Sequence, residues 1–417
     1  MHTFTLIFLM ALGLATAVQL WLAARQLRHV GTHADAVPSQ FLGRVSASQH
    51  QKAAEYTGAR VRTGIVEVLF SAALLLMWTI GGGFQWTYDI AAGWFDAPLA
   101  VGVTMMLVVL LLGSLLTLPL DAYAIFGIEE RFGFNRTTVP TFISDTLKKL
   151  ALTLVIGTPM IALVLWFMES LGSVWWIAAW CVWIGFNLLA VWAFPVFIAP
   201  LFNKFTPLED TALAERISAL LRRHGFSASG IFVADGSKRS GHGNAYFTGL
   251  GASKRIVFYD TLLADLNGDE VEAVLAHEVG HFKRKHIPKQ LGFSAALVLL
   301  ALALLAWLAE QPWFYEGLGV TTPSTAAALL LFMFAAPSFF FFLSPLMGML
   351  SRKHEYEADE FAAEHADGAT LIEALVKLYR SNSSTLTPDP LYSAFHDSHP
   401  PAPLRIAHIE SLTTTPR

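Results

Sequence analysis

The sequence predicts a predominantly α-helical multi-pass membrane protein with seven transmembrane helices and a small α/β domain on the cytosolic side. Composition is the first indication. Of the 417 residues, 54% are hydrophobic and only 14% are charged, whereas soluble domains carry about 25% charged residues. The second indication is a set of seven apolar segments long enough to cross a bilayer, which takes about 20 residues. The third is the distribution of Lys and Arg, which supports the same number of crossings.

The predicted spans hold most of the apolar sequence. They are Thr3–Ala24, Gly64–Gly83, Pro98–Pro119, Leu150–Leu171, Val174–Ile198, Leu291–Ala309 and Ser324–Leu350. No Lys or Arg precedes the first span, while Arg25 and Arg28 follow it. We therefore expect a retained helix with its N-terminus outside, and no cleaved signal peptide.

Positive charge predicts the orientation of these spans. Lys and Arg gather in four groups, at Arg25–Arg62, Arg131–Lys149, Lys204–Lys289 and after Arg352. Seven crossings from an outside (or lumenal) N-terminus put all four groups on one side, and the positive-inside rule makes that side the cytosol. The membrane would be a bacterial inner membrane or the endoplasmic reticulum.

The chain divides into four predicted regions. They are 1–203 with five spans, 204–290 as the cytosolic α/β domain, 291–350 with spans six and seven, and 351–417 as a C-terminal cytosolic region. In the second region, apolar residues at helical spacing predict a helix over Thr211–Arg223. Strands are predicted at Gly230–Val233, Asn244–Thr248 and Arg255–Tyr259, between Gly- and Ser-bearing turns.

A His-Glu-x-x-His motif lies in the α/β domain at His277, Glu278 and His281. It belongs to an apolar-periodic run that begins with acidic residues, which is typical of an amphipathic helix. Residues four apart share a helix face, so both imidazoles can reach one Zn²⁺. Such an ion lowers the pKa of a bound water towards neutrality, and Glu278 can take its proton. The motif predicts one zinc ion with His277 and His281 as ligands and Glu278 as general base.

A hydrolytic zinc site takes a third protein ligand, and carboxylates after the seventh span are candidates. Glu355 and Asp359 are four residues apart and share a helix face, whereas Glu357 points roughly the other way. Glu355 can therefore ligate zinc while Asp359 accepts a hydrogen bond from a ligand imidazole, and Glu357 is expected to contribute little. The same spacing also fits a solvated acidic face, and spacing alone leaves both interpretations open.

Several segments along the chain resemble one known family. These segments are Phe132–Thr138, Leu201–Leu208, Asn244–Gly249, His277–Lys283, Arg352–Asp359 and Leu391–Pro401. Together they are similar to the seven-span type I CAAX prenyl proteases, which are integral-membrane zinc metalloendopeptidases. The resemblance implies a water-filled chamber within the membrane, with zinc near its cytosolic end.

The same resemblance implies a role for each matching residue. Glu355 would be the third zinc ligand, and Asp359 an outer partner of a ligand imidazole. Arg405 matches a basic residue of the C-terminal segment and could pair with Asp359. Asn244 would hold the substrate backbone at an edge strand, and His399 would stabilise the oxyanion.

The expected function is cleavage near the C-terminus of a protein or peptide substrate whose cysteine carries, or lacks, an isoprenoid. One alternative is a membrane quality-control protease acting on unprenylated substrates. Another is a zinc-stabilised scaffold without activity, in which Glu278 would have no function. With a net charge of −4 the chain has no excess of positive charge, so nucleic acid is not an expected partner. Glu67 and Asp121, near span ends, fit either a functional role or contact with water.

Overall fold

The computed structural model describes residues 2–226, 229–249 and 254–414. The N-terminal membrane region contains α1 (Thr3–Thr32), α2 (Ala47–Trp78), α3 (Gly83–Trp94), α4 (Pro98–Phe132), α5 (Val139–Ser170) and α6 (Gly172–Phe202). Next come β1 (Phe205–Pro207), α7 (Thr211–Arg223), β2 (Gly230–Ala234), β3 (Ala245–Thr248), β4 (Arg255–Tyr259), α8 (Asp260–Asp265) and α9 (Gly268–Lys283). The chain continues with α10 (His286–Leu308), α11 (Pro312–Gly317), α12 (Thr325–His365), α13 (Gly368–Ser381), α14 (Pro390–His396) and α15 (Ala402–Thr414).

Seven helices among these described residues are long and apolar enough to cross a membrane: α1, α2, α4, α5, α6, α10 and α12. The predicted number of spans is therefore confirmed. Each helix extends beyond its predicted span at one end or both, because polar sequence continues the helix outside the apolar window. The first residues of α2 are an example, with a capping box between Ser46 and Gln49 that satisfies the free backbone N–H groups.

Prolines explain several irregular turns within the spans. Pro159 follows a π-helical turn at Thr153–Gly157 in α5, and Pro345 follows a 3₁₀ turn at Phe341–Leu343 in α12. A proline has no N–H to donate, and its ring clashes with the carbonyl four residues earlier, so the preceding turn changes its hydrogen-bonding pattern. The helix nevertheless continues after each turn, which lets α12 carry its polar C-terminal half out of the apolar segment.

The polar segment between α6 and α10 folds around a small sheet with the strand order β1-β2-β4-β3 in the described residues. Strands β2 and β4 are parallel, and β3 pairs antiparallel with β4. This arrangement leaves β3 at one edge of the sheet. The three predicted strands are present, but β1 was not predicted, because three residues that include Pro207 give almost no strand signal.

Two large hydrophobic cores and a smaller cluster around Tyr56 and Phe132 stabilise the described residues. One core lies among the membrane helices and includes Phe8, Phe84 and Met105. The other packs the sheet and α9 against α7, α13 and α15, with Phe258 and Ile406 fully buried. The core of the α/β unit therefore includes parts of the C-terminal region as well as residues 204–290.

A cavity of about 1630 Å³ lies among α1, α2, α12 and the C-terminal segment. Apolar side chains such as Leu12, Val61 and Phe334 form part of its wall, and Arg60 and Glu67 add charge. Asp121 lies elsewhere, in an exposed part of α4. The volume exceeds the roughly 300–1,000 Å³ of ordinary small-molecule pockets, so this space is large enough for a substrate bigger than a metabolite.

The predicted orientation can be tested with single cysteines at exposed positions. In a Cys181→Ala background, Ser48→Cys and Thr211→Cys should react with an impermeant thiol reagent only from the cytosolic side. Thr321→Cys should react only from the opposite side, because α10 and α12 run to that end of the membrane region. All three positions are exposed. Labelling of Ser48→Cys and Thr321→Cys from the same side would contradict the seven-crossing topology.

Candidate active site

Helix α9 presents two imidazoles at one point. Its start is fixed by a capping box, in which Asn267 Oδ1 accepts from the backbone N–H of Glu270, and the Glu270 carboxylate accepts from the N–H of Asn267. One turn from the other end, His277 and His281 lie on the same face. Their Nε2 atoms are 3.2 Å apart, so both lone pairs can be directed at a single ion.

Helix α12 crosses α9 at very short range beside these imidazoles. Gly280 makes this possible, because a Cβ there would lie 3.0 Å from the Cα and 3.1 Å from the carbonyl oxygen of Ala358. Any larger residue would meet backbone atoms that cannot rotate away. The crossing brings Glu355 of α12 to the two histidines, with its carboxylate oxygens 3.5 Å from His277 Nε2 and 3.4 Å from His281 Nε2.

His277, His281 and Glu355 each offer one ligand atom within 4.8 Å of the others. Two imidazoles and one carboxylate are a donor set typical of catalytic zinc. Glu355 is 6% exposed, and its buried Oε2 has no hydrogen-bond partner among the described residues. A buried carboxylate oxygen without a partner is costly. The residues present therefore fit a divalent metal ion.

The Nδ1 side of the His277 ring contacts a buried ion pair between Asp359 and Arg405. Its Nδ1 lies 2.8 Å from Asp359 Oδ1, and Asp359 accepts two hydrogen bonds of 2.7 Å from Arg405. Burial opposes the charge of Arg405, but the Asp359 carboxylate outweighs this effect and raises the pKa of the guanidinium above its ordinary value. Asp359 is therefore held as an acceptor that fixes the ring of His277, so that its Nε2 faces His281 Nε2 and Glu355.

Glu278 and His399 lie beside this cluster without belonging to the ligand group. Glu278 is partly exposed, and its carboxylate makes no hydrogen bond or ion pair among the described residues. His399 Nε2 is 3.5 Å from Glu355 Oε1, and the side chain lines the large cavity. Desolvation lowers the pKa of His399, although 64% of the side chain remains accessible. The ring can therefore remain neutral near pH 7 and donate from one nitrogen.

Asn244 lies at the entrance to β3, the edge strand. The residue is exposed, its carbonyl accepts from the N–H of Tyr259 of β4, and β3 begins at the next residue. No hydrogen bond joins it to the ligand cluster within the described ranges. The structure thus brings His277, His281, Glu355, Asp359, Arg405 and His399 together, and places Asn244 at the start of an edge strand, without a hydrogen bond to that cluster among the described residues.

A polar network that the sequence did not reveal anchors the segment before Asn244. His242 Nε2 is 3.2 Å from the Glu129 carboxylate, which also accepts a 2.6 Å hydrogen bond from Tyr56. The other ring nitrogen of His242 is 3.2 Å from Asn382 Oδ1. These residues come from α2, α4 and the end of α13, so only their arrangement in space identifies the network.

Two family models together match most of the chain. The model of the CAAX prenyl protease N-terminal region, with five membrane helices, matches residues 26–204, and the peptidase family M48 model matches residues 207–413. CAAX prenyl protease 1 of Saccharomyces cerevisiae is 37% identical over 390 residues, covering 87% of this chain and 86% of that protein. The chain belongs to the CAAX prenyl protease 1 family of M48 peptidases.

Other members of the family and a solved structure agree. The human CAAX prenyl protease 1 homologue is 31% identical, over 83% of this chain and 80% of its own length. The crystal structure of S. mikatae Ste24p superposes with a TM-score of 0.92 at 32% identity, covering 98% of this chain and 99% of that one. The chain is therefore a membrane-embedded, multi-pass metalloprotease that acts on protein substrates, and the scaffold interpretation is wrong.

The close crossing at Gly280 makes a specific prediction. In Gly280→Ala the added methyl must push α9 away from α12, which displaces Glu355 from the imidazoles. We expect peptide hydrolysis and bound metal per protein each to fall at least about 10-fold, because small displacements of reacting groups are costly. Circular dichroism should show the same helix content as the wild type.

The matched control is Gly292→Ala, at a helical glycine of α10 where a Cβ would meet nothing within 4 Å. It should keep both metal and activity. Equal activity in Gly280→Ala and Gly292→Ala would show that the site does not depend on this crossing.

Proposed function

We propose that the protein is a zinc endopeptidase that cleaves near the C-terminus of CAAX-type substrates, with its catalytic face in the cytosol. The observation that carries the proposal is the convergence of His277, His281 and Glu355 within 4.8 Å, next to the unpaired carboxylate of Glu278. These three residues would hold one zinc ion. When bound, the ion would supply Lewis acidity and make water a nucleophile near neutral pH.

Glu278 would serve as general base and then as general acid. Its carboxylate takes a proton from the attacking water as the water oxygen bonds to the scissile carbonyl carbon. The carbon–nitrogen bond then breaks, and Glu278 returns that proton to the leaving amine. Among the described residues the Glu278 carboxylate has no hydrogen-bond or ion-pair partner. A carboxylate in that state, one residue from a proposed metal ligand, suits both steps.

His399 and Asn244 would bind the substrate during these steps. The Nε2 of His399 lies 3.5 Å from a ligand oxygen of Glu355, so an N–H there can donate to the carbonyl oxygen as it becomes negative. Asn244 precedes β3, which pairs only with β4 among the described strands, and an extended peptide can add to such an edge. Asp359 and Arg405 would act through His277, by fixing its ring.

The cavity supports a large substrate with an apolar part. Its 1630 Å³ volume is bordered by His399 at the candidate site and by apolar side chains such as Val61 and Met333 farther away. A C-terminal peptide could occupy the part near His399 while an isoprenoid chain contacts the apolar wall, where burial contributes about 25 cal/mol per Å². A protease acting only on unprenylated chains would not need that wall.

The role of Glu278 is tested by Glu278→Gln. This change keeps the shape of the side chain but removes the base, so hydrolysis of a reporter peptide should fall by at least about 10²-fold. Zinc content, measured by elemental analysis of the purified protein, should stay at the wild-type level because the three ligands are intact. Loss of zinc together with activity would show that Glu278 is a ligand or a structural residue.

The substrate class is tested with two peptides that differ only in a farnesyl group on the cysteine. We expect the kcat/KM of the farnesylated peptide to be at least about tenfold higher, because the isoprenoid gains contacts with the apolar wall. Both peptides should be assayed in the same detergent, with Glu278→Gln as the blank. Equal values for the two peptides would favour quality-control proteolysis of unprenylated substrates.

A further inference from the structure

A second histidine and a second carboxylate lie directly behind the metal cluster. His281 Nδ1 is 2.9 Å from His286 Nδ1, and His286 Nε2 is 2.9 Å from Glu357 Oε2. Neither His286 nor Glu357 belongs to the group of ligand atoms that lie within 4.8 Å of one another. The three residues form a chain that begins at a ligand imidazole and ends at a carboxylate on α12.

The hydrogen atoms of this chain have one consistent arrangement, provided that the zinc site proposed above is correct. If His281 binds the ion through Nε2, the neutral ring carries its proton on Nδ1. That N–H must donate to His286 Nδ1, which then has to be the unprotonated nitrogen. His286 therefore carries its proton on Nε2 and donates it to Glu357. Each donor meets one acceptor, and each ring has a defined tautomer.

We propose that His286 and Glu357 are positioning residues for the metal centre, with Glu357 fixing the tautomer of His286 and His286 orienting the ring of His281. A ligand imidazole is commonly fixed through its second nitrogen by a carboxylate or a carbonyl. His277 has this support directly from Asp359. His281 receives this support indirectly, from Glu357 through the imidazole of His286.

The backbone places His286 for this contact. Helix α9 ends at Lys283, and α10 begins at His286 after a link in which Lys285 has φ 56°. That left-handed conformation is uncommon for a residue with a side chain. It turns the chain sharply enough to set the first side chain of α10 beside the last turn of α9. His286 is 3% exposed, so the contact is fixed by packing.

Neighbouring groups support this placement, and the described part of the chain offers the two ring nitrogens no hydrogen-bond partner besides His281 and Glu357. His354 stacks on His286, with ring centroids 4.1 Å apart and planes 11° from parallel. Lys353 lies 3.8 Å from the other oxygen of Glu357, which leaves Oε2 for His286. The helix geometry that turns Glu357 away from the metal therefore turns it towards His286, and the expectation that Glu357 contributes little is revised.

The first test measures zinc affinity by competition with a chromophoric chelator, using the purified full-length protein in detergent. His286→Leu removes the acceptor for His281, and zinc should bind roughly 10–100-fold more weakly, as for other outer partners of metal ligands. His286→Asn keeps an oxygen near the position of Nδ1 and should restore part of the affinity. Glu357→Gln, at a side chain that is 23% exposed, should fold normally and weaken binding in the same direction.

The matched control is Glu360→Gln, the same chemical change one turn farther along α12, where the nearest partners of the carboxylate are Arg284 and His408 at 3.8 Å. It should leave zinc affinity unchanged. The proposal is overturned if His286→Leu and Glu357→Gln bind zinc as tightly as Glu360→Gln. A wild-type protein that binds no zinc would instead refute the proposed function itself.

The second test asks whether the two residues act in series. Glu357 reaches His281 only through His286. The double variant His286→Leu/Glu357→Gln should therefore lose no more zinc affinity than His286→Leu alone, so that the two losses are non-additive. The losses of zinc affinity from Glu357→Gln and Asp359→Asn should be close to additive, since Glu357 and Asp359 support different imidazoles. The visible spectrum of the Co²⁺-substituted protein should change in His286→Leu and stay unchanged in Glu360→Gln. Additive losses for His286 and Glu357, with an unchanged Co²⁺ spectrum, would show a general structural role instead.

Discussion

The whole site depends on the backbone-to-backbone crossing of α9 and α12 at Gly280 and Ala358. Helix α9 belongs to the α/β unit, while α12 is the continuation of the last membrane span. A glycine lets the two helices approach so closely that Glu355 reaches both imidazoles. Because close-packed interiors do not deform freely, this one contact fixes the distance between a soluble fold and a membrane helix. The candidate metal site lies beside this close approach.

Buried charge imposes a second constraint, and the C-terminal helix α15 satisfies it. Asp359 is fully buried and Glu355 nearly so, and buried carboxylates are unfavourable unless they are paired. Arg405 supplies the paired charge for Asp359 through two hydrogen bonds. Its position is set by Ile406 and Ile409, which pack into the core beside α9 and α13. The packing of α15 therefore affects the electrostatics of a site whose other residues lie in α9 and α12, 46 to 128 residues earlier in the chain.

Sequence patterns predicted the features that depend on local periodicity. The spans follow from long apolar windows, and His277, Glu278 and His281 from helical spacing. The place of Glu355 also followed from spacing, but the choice between a ligand and a solvated acidic face needed the crossing at Gly280. Strand β1 and the proposed role of His286 could not be predicted, because each depends on contacts between distant segments, and the cavity was expected only from the family resemblance and not from any sequence pattern. In particular, the left-handed turn at Lys285 contains no glycine, the residue that would have indicated it in the sequence.

The proposed metal centre would also act as a joint between membrane helices. His281 contacts His286, which is the first residue of α10, and Glu355 and Glu357 both belong to α12. The sixth and seventh spans thus converge on one imidazole from two sides. In the absence of a cation, the Glu355 oxygen that has no hydrogen-bond partner among the described residues would favour separation of α12 from α9. Metal binding would then contribute to the packing of these spans as well as to catalysis, since ligand affinity adds to the stability of the state that binds.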